Sequence, residues 1–549
     1  GLLELGERKH VFAGLEDACQ AVKQRFPFIT VLSQSRDPDK GEIEDAIKTY
    51  ELFGHFGTEA EQAAEKLLER TADDEQLVYH AEHLVNRGEC FDHNGLGNSS
   101  QPARLSLVER MREDRAKGLV SIRVHYGEPP DFYDHMPWMH KTLIGIERLA
   151  ESELISLISL GTSRDTQVGP YKDKADWNRN DDGGVVVTCP EDMNQLFAAT
   201  QRGNFPAIKL YAGTGFPYLL LFNHDQVMLM KLQRGMQAVS VSGPWFGEFD
   251  KRGPLEPLEC MRAKRALVDM LMSFDEPNTI PIEINEPHHW SLRMGDDIGY
   301  VTAHAVAAAF ANICGKNRTG IDEYIAQFMF NTPKTASWAD YAKMSAAIEI
   351  AGQVRKGNMW VETRAGLPYF RPDPQKSLVQ LVTTTILQSY FNPWLMHVVS
   401  DCEARRAAKP DDVERSVKAA LSAYEYFNQN RQLFPDFRND QKVQERKEYL
   451  KKNAALRLTA MARLGSYMGD NILDDMQFRL DDFVCPEVID TAMRRGILFA
   501  PGILEKKSYE NARMFMTGVF DSGYDAIDLH SMQRLDEQTR LARVVPELV

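Results

Sequence analysis

The spacing of apolar and polar residues changes near Gly118. Before it, GEIEDAIKTYELF and TEAEQAAEKLLERTADDEQLVYHAEHLVNRG carry apolar residues three and four apart with charges between them, a helical period. The run FDHNGLGNSSQPA, Phe91 to Ala103, has loop composition. After Gly118, short β-branched runs alternate with long amphipathic ones. The expected strands are Leu119–Tyr126, Ile155–Gly161, Pro206–Tyr211, Gln237–Gly243, Thr279–Asn285, Tyr324–Phe330, Asn358–Arg364 and Trp394–Ser400. Gly184–Thr188 is a ninth short run, an insertion or hairpin before the third strand. Helix-length segments lie between, at Pro254–Phe274, Asp297–Ala311, Ser337–Arg355 and Pro374–Tyr390, with Asp411–Phe427 after the eighth strand.

Strands that alternate with helices predict a parallel sheet with right-handed crossovers. The expected fold class is α/β, a (β/α)8 TIM-type barrel with an N-terminal helical extension and a C-terminal mixed extension. A doubly wound open sheet is the competing arrangement. The corresponding domains are 1–117 (helical), 118–430 (barrel) and 431–549, where a highly charged helical stretch precedes mixed segments.

Composition narrows the class. The chain has 549 residues, 43% of them hydrophobic, and a formal net charge of −15. That balance describes a globular protein and argues against a dedicated nucleic-acid binder, which needs a basic face. No stretch has the uninterrupted apolar length of a membrane span. The opening GLLELGERKHVF carries charges where a signal peptide needs its apolar core, so a cytoplasmic location is expected. Seven dispersed cysteines without a CxxC pair point to reduced thiols rather than disulfides or structural zinc.

In a barrel of this type the reactive groups come from the C-terminal ends of different strands. The fifth expected strand ends in the densest polar cluster, TIPIEINEPHHWSLRMGDD, which nominates His288 and Glu286 as catalytic candidates. Other strand ends supply Arg123, His125 and Tyr126, then Arg164 after Thr162 and Ser163, then Tyr211. The fourth leads into Trp245, Glu248 and Arg252, the seventh ends in Glu362 and Arg364, and the eighth in Ser400 and Asp401. Arginines and histidines converging on one rim suit an anionic substrate: guanidinium clamps a carboxylate and imidazole bonds or protonates a carbonyl oxygen. No P-loop, G-x-S-x-G elbow or H-E-x-x-H is present. His288 and His289 are adjacent and project to opposite sides of an extended chain, so no metal site is assigned.

In order along the chain, these segments resemble the barrel of the adenosylcobalamin-dependent carbon-skeleton mutases, from about Gly118 to Asn430. The nearest likenesses are the methylmalonyl-CoA mutase family and the large subunit of glutamate (methylaspartate) mutase. SIRVHYG is similar to the family's first strand, and DDGGVVVTCPEDMNQLF with FPAIKLYAGTGFPYLLLF to its third. GPWFGEFDKRGPLEP places Arg252 where an arginine meets the substrate carboxylate, and INEPHHW places His288 where a histidine contacts a carbonyl oxygen. WADYAKMSAAIEIAGQVRKGNMW and VETRAGLPYF are similar to the sixth helix and seventh strand.

The resemblance implies a radical 1,2-rearrangement of a small carboxylate or acyl thioester, in which adenosylcobalamin supplies the homolytic step. The family's cobalamin motif is D-x-H-x-x-G, and the closest string here, Asp528-Leu-His530-Ser-Met-Gln533, lacks the glycine. Cobalamin is therefore expected on a separate small subunit, in a dimer or heterotetramer. His125 stands where glutamate mutase has an arginine, and the segment that threads coenzyme A in the acyl-CoA mutases is not recognisable, so neither substrate is indicated. The alternatives are a cobalamin-independent barrel lyase or hydrolase using Glu286, His288 and Glu362, or a degenerate mutase barrel acting as an assembly partner.

Overall fold

The computed structural model describes residues 75–86, 105–127, 138–161, 185, 190–212, 239–241, 257–272, 281–284, 289–292, 295–314, 320–330, 335–365, 370–371, 373–403, 406–472, 484–501, 511, 514–520, 523–528, 531 and 533–548. Two helices come first, α1 (Glu75–Asn86) and α2 (Leu107–Ala116). The middle of the chain then runs β1 (Ser121–His125), α3 (Trp138–Glu151), β2 (Leu157–Gly161), α4 (Pro190–Ala199), β3 (Ala207–Ala212), β4 (Val239–Val241), α5 (Pro257–Met272) and β5 (Ile282–Ile284). It continues with α6 (His289–Leu292), α7 (Asp297–Ile313), β6 (Glu323–Phe330), α8 (Ser337–Val354), β7 (Asn358–Ala365), α9 (Pro374–Ser389), β8 (Leu395–Val398) and α10 (Pro410–Gln429). Each of the eight expected strand runs overlaps one of β1–β8. Val185, in the ninth run, donates its backbone N–H to the Gly161 carbonyl at 2.7 Å and so extends the end of β2.

Every pairing in this sheet is parallel, in the order β1 to β8, and the sheet curls until β8 lies against β1. A doubly wound sheet would reverse its strand order at a switch point, and no reversal occurs. The ladder is uneven. β6 and β7 pair over their whole length, Glu323↔Asn358 to Phe330↔Ala365, whereas β3–β4 and β5–β6 pair over two residues each.

Period-two alternation decides which side chains enter the curl. Ile122 and Val124 of β1 face the helices, while Ser121, Arg123 and His125 share the other face. The helices complete the wall. In α7 the segment GYVTAHAVAAAFANI is apolar all round, and it is buried nearly all round because β6 and α8 cover one side and the C-terminal extension the other.

That extension comprises the long α11 (Gln441–Ile472), α12 (Pro486–Arg495), an antiparallel pair β9 (Met516–Phe520) and β10 (Gly523–Ile527), and α13 (Glu537–Val544). Buried ion pairs fasten it to the N-terminus of α7. Arg457 forks onto Asp296 at 3.0 and 2.9 Å and onto Glu537 at 2.8 and 2.7 Å. Arg446 bridges Asp297 and Asp525, at 2.8 Å for its shortest contact with each. Asp296 also caps α7 through the Gly299 N–H at 2.7 Å; a Cβ at Gly299 would sit 2.7 Å from that carboxylate and 3.0 Å from Arg457, so only glycine allows the approach. No helix among the described residues is long and apolar enough to cross a membrane.

Candidate functional site

The inside of the curled sheet is built in levels two residues apart. The lowest is apolar: Leu157, Ala207, Ile325, Trp360 and Leu395 form one cluster with Leu107, Val108 and Met111 of α2. Helix α2, which the sequence placed in the N-terminal region, is thus the floor beneath the sheet. Its first turn is closed by a capping box between Ser106 and Glu109, and Arg110 donates to the backbone carbonyls of Asn204 and Phe205 at 2.6 and 3.2 Å just before β3.

Two residues further along each of those five strands, every side chain is polar: Ser159, Lys209, Gln327, Glu362 and His397. Arg123 of β1 and Glu283 of β5 join them, and all seven are buried. Interiors of this kind are ordinarily filled by bulky branched apolar residues. Here the odd-numbered strands contribute two cations, Arg123 and Lys209, and two carboxylates, Glu283 and Glu362.

Arg123 is the hub. Its Nη1 donates to Glu283 Oε2 at 2.9 Å and also to Glu362 Oε1; its Nη2 reaches Ser159 Oγ at 3.1 Å and His125 Nε2 at 3.2 Å. Lys209 Nζ shares Glu283 Oε2 with it. Gln327 Nε2 donates to Glu362 Oε1 and lies 3.1 Å from His397 Nδ1, and the His125 and His397 rings approach to 4.4 Å between centroids. Burial, then the Arg123 guanidinium, holds the Lys209 amine well below the usual lysine range. The same two causes lower His125 and His397 well below ordinary histidines, with Arg364 and Lys209 adding to the effect, so both rings are neutral. The site therefore offers fixed donors, buried carboxylates and a lysine of reduced basicity in a buried interior.

Of the residues nominated from the sequence, the structure brings Arg123, His125, Glu362 and Arg364 together. Arg123 and Glu362 sit in mid-strand, deeper than the strand ends where they were sought. Arg364 is one level above Glu362 and buried. Tyr126 turns out of this group. Its hydroxyl lies 1.8 Å from where a Cβ on Gly145 of α3 would be, so it packs between sheet and helix, as alternation requires one residue after the inward His125. Asp401 faces α10, where Arg415 and Ser416 bind its carboxylate at 2.7 and 3.0 Å, and the Ser400 N–H donates to Glu403. Tyr211 lies on β3 beside Gly161, and its side chain is outside the described residues. Glu286, His288, Arg164, Glu248 and Arg252 lie outside them as well, as do Thr162, Ser163 and Trp245.

Lys209, Glu283, Gln327 and His397 are functional candidates that the strand-end rule missed. Their signal was available: a single ionisable or amide residue inside an apolar strand, as in Ala-Ile-Lys-Leu-Tyr and Leu-Met-His-Val, must face inward to be useful and must be paired to be tolerated.

Residues for holding cobalamin are a poor match. Asp528, which begins the Asp528-to-Gln533 string, ends a hairpin and accepts from Ser531 N–H and Oγ at 2.8 and 3.0 Å while pairing with Arg543 at 2.6 Å. A turn so tied, beside a two-stranded sheet, is not the α/β cradle that a corrinoid tail enters. Among the described residues no three His, Cys, Asp or Glu side chains are grouped to hold a metal ion.

The chain matches no known protein-family model and no curated protein sequence.

Proposed function

We propose that this chain is the catalytic barrel subunit of a mutase-like isomerase, a TIM-type (β/α)8 barrel that rearranges a small carboxylate or its thioester with adenosylcobalamin carried by a small partner subunit. The observation that carries the proposal is the polar level at the centre of the curled sheet. Burying two cations, two carboxylates and two histidines costs stability that an apolar filling would avoid. A parallel sheet with helices on its outer face does not need them to fold. Their use is to grip a polar substrate away from water.

In this reading the chain's own residues bind and shield. Arg364 and Arg123 attract the substrate's carboxylate, His125 and His397 bond its remaining oxygens without transferring charge, and the α2 floor excludes water from below. The family likeness assigns His288 to the substrate's carbonyl oxygen, and Glu286 is a further candidate from the same polar cluster. No step through cobalamin is assigned to these residues, because the cofactor's own cradle belongs to the partner.

The test is purification of the native complex, an absorbance spectrum, and electron paramagnetic resonance with candidate acids and thioesters. A corrinoid spectrum with a co-purifying small subunit and a substrate-dependent radical signal is expected. A complex without corrinoid or partner would rule the proposal out.

A second reading, a cobalamin-independent barrel lyase, is favoured by one feature: Lys209, a buried amine of lowered basicity beside the Glu283 carboxylate. Such an amine can act as a base or condense with a carbonyl. Borohydride trapping of a substrate on Lys209 would select it.

A further inference from the structure

A carboxylate only accepts hydrogen bonds, so the Gln327 atom against Glu362 Oε1 is the amide nitrogen. The same nitrogen lies 3.1 Å from His397 Nδ1 and can only donate there too. Nδ1 is therefore the accepting nitrogen, and the single proton of the neutral ring sits on Nε2. The His397 side chain is fully buried, and Nε2 has no hydrogen-bond partner among the described residues. Buried polar atoms are almost always satisfied, so this one is free to meet a group beyond the described residues, such as a bound ligand.

The neighbouring ring is set in the same manner but the opposite sense. Arg123 Nη2 donates to His125 Nε2 at 3.2 Å, which puts the His125 proton on Nδ1. Among the described residues, the titratable and charged groups around His397 are Arg123 and His125 from β1, Lys209 from β3, and Glu362 and Arg364 from β7, with Gln327 from β6. With burial, the cations among them keep the imidazole uncharged. A neutral N–H polarises a carbonyl without protonating it, which is the useful form where charge must not be transferred.

We propose that His397 presents its Nε2–H as a fixed donor to the carbonyl oxygen of a small 2-oxo carboxylate bound inside the sheet, with Gln327 as the positioning residue that sets its tautomer. The inference rests on the sheet interior being the substrate site, as in the proposal above, but needs neither cobalamin nor turnover. A missing corrinoid partner would leave it standing, and its own failure would leave the mutase reading standing.

Ring-nitrogen NMR of the full chain carrying isotope-labelled histidine tests the tautomer. One ring, absent in His397→Gln, is expected to keep a protonated Nε2 and a bare Nδ1 between about pH 5.5 and 8. Gln327→Leu is expected to release the proton toward Nδ1. Pyruvate and propionate, which differ by the carbonyl oxygen, then probe the donor. Pyruvate is expected to shift the Nε2–H resonance, and His397→Ala to weaken pyruvate about tenfold while changing propionate less than about twofold. His397→Gln, which retains an N–H donor, recovers part of the loss. An Nδ1–H tautomer, ordinary titration of His397, no pyruvate binding, or equal losses for both acids would overturn the proposal. Should His397→Ala fail to fold, the wild-type resonance and His397→Gln decide alone.

Discussion

Replacing Arg123 by methionine keeps most of the side-chain volume and removes the hub charge. Glu283 retains Lys209, but Glu362 is left with the Gln327 N–H and the His397 ring at 3.6 Å. Because both carboxylates are fully buried, the loss falls in the range for stranding a buried charge, about 3–5 kcal/mol near pH 8. Arg123 is also, after burial, the chief group that holds the His125 and His397 pKa values down, so without it the folded variant binds more protons at these rings than wild type does. Its deficit relative to wild type therefore shrinks as pH falls, by up to about 1.4 kcal/mol per unit for each ring. Equilibrium urea unfolding of both proteins, followed by tryptophan fluorescence at pH 5 and pH 8, measures the difference. Adding Glu362→Gln to the variant removes the stranded charge and is expected to restore about 0.5–3 kcal/mol, the usual span for coupled neighbours. A deficit below about 1 kcal/mol at pH 8, or one that does not change with pH, would refute the idea that Arg123 compensates buried carboxylates.

Other perturbations test the scaffold around the site. His125 and His397 have folded pKa values below the unfolded value of about 6.5, so wild-type stability is lost as pH falls through that value, by up to about 1.4 kcal/mol per unit for each ring. A His125→Gln and His397→Gln double variant should flatten that limb of a pH–stability profile. The Lys209 amine is lowered as well, so its contribution grows as pH rises toward the unfolded lysine value of about 10.4; Lys209→Met should remove that rise. Met111→Ala opens the apolar floor and is expected to cost about 2–5 kcal/mol by urea unfolding. Arg457→Met strands Asp296 and leaves Glu537 to Arg540, at a cost of about 3–5 kcal/mol. Limited proteolysis should then cut the C-terminal extension faster than in wild type.

Much of the molecule was legible in order along the chain. Local periodicity suffices for the eight strands and their helices, because each strand must bury one face or both and each helix one stripe. The helix-length run Asp297–Ala311 announced α7, and the charged stretch after Asn430 announced α11. The strand-end rule reached Arg123, His125, Glu362 and Arg364, which share a face because alternate residues of a strand do.

Only the tertiary structure decided the rest. Whether a polar residue within a strand points inward, and which partners satisfy it, depends on register across strands far apart in sequence; Arg123 meets Glu283 and Glu362 only because the sheet curls β5 and β7 round to face β1. Tyr126 looked like a rim residue from its position, yet a one-residue step turned it outward onto α3. Helix α2 belonged by composition to the N-terminal helices, but its apolar face fits the floor left by Leu157, Ile325 and Trp360. The proton on His397 is the furthest case. It follows from a carboxylate on β7 acting through an amide on β6, a relation between elements that no single stretch of sequence contains.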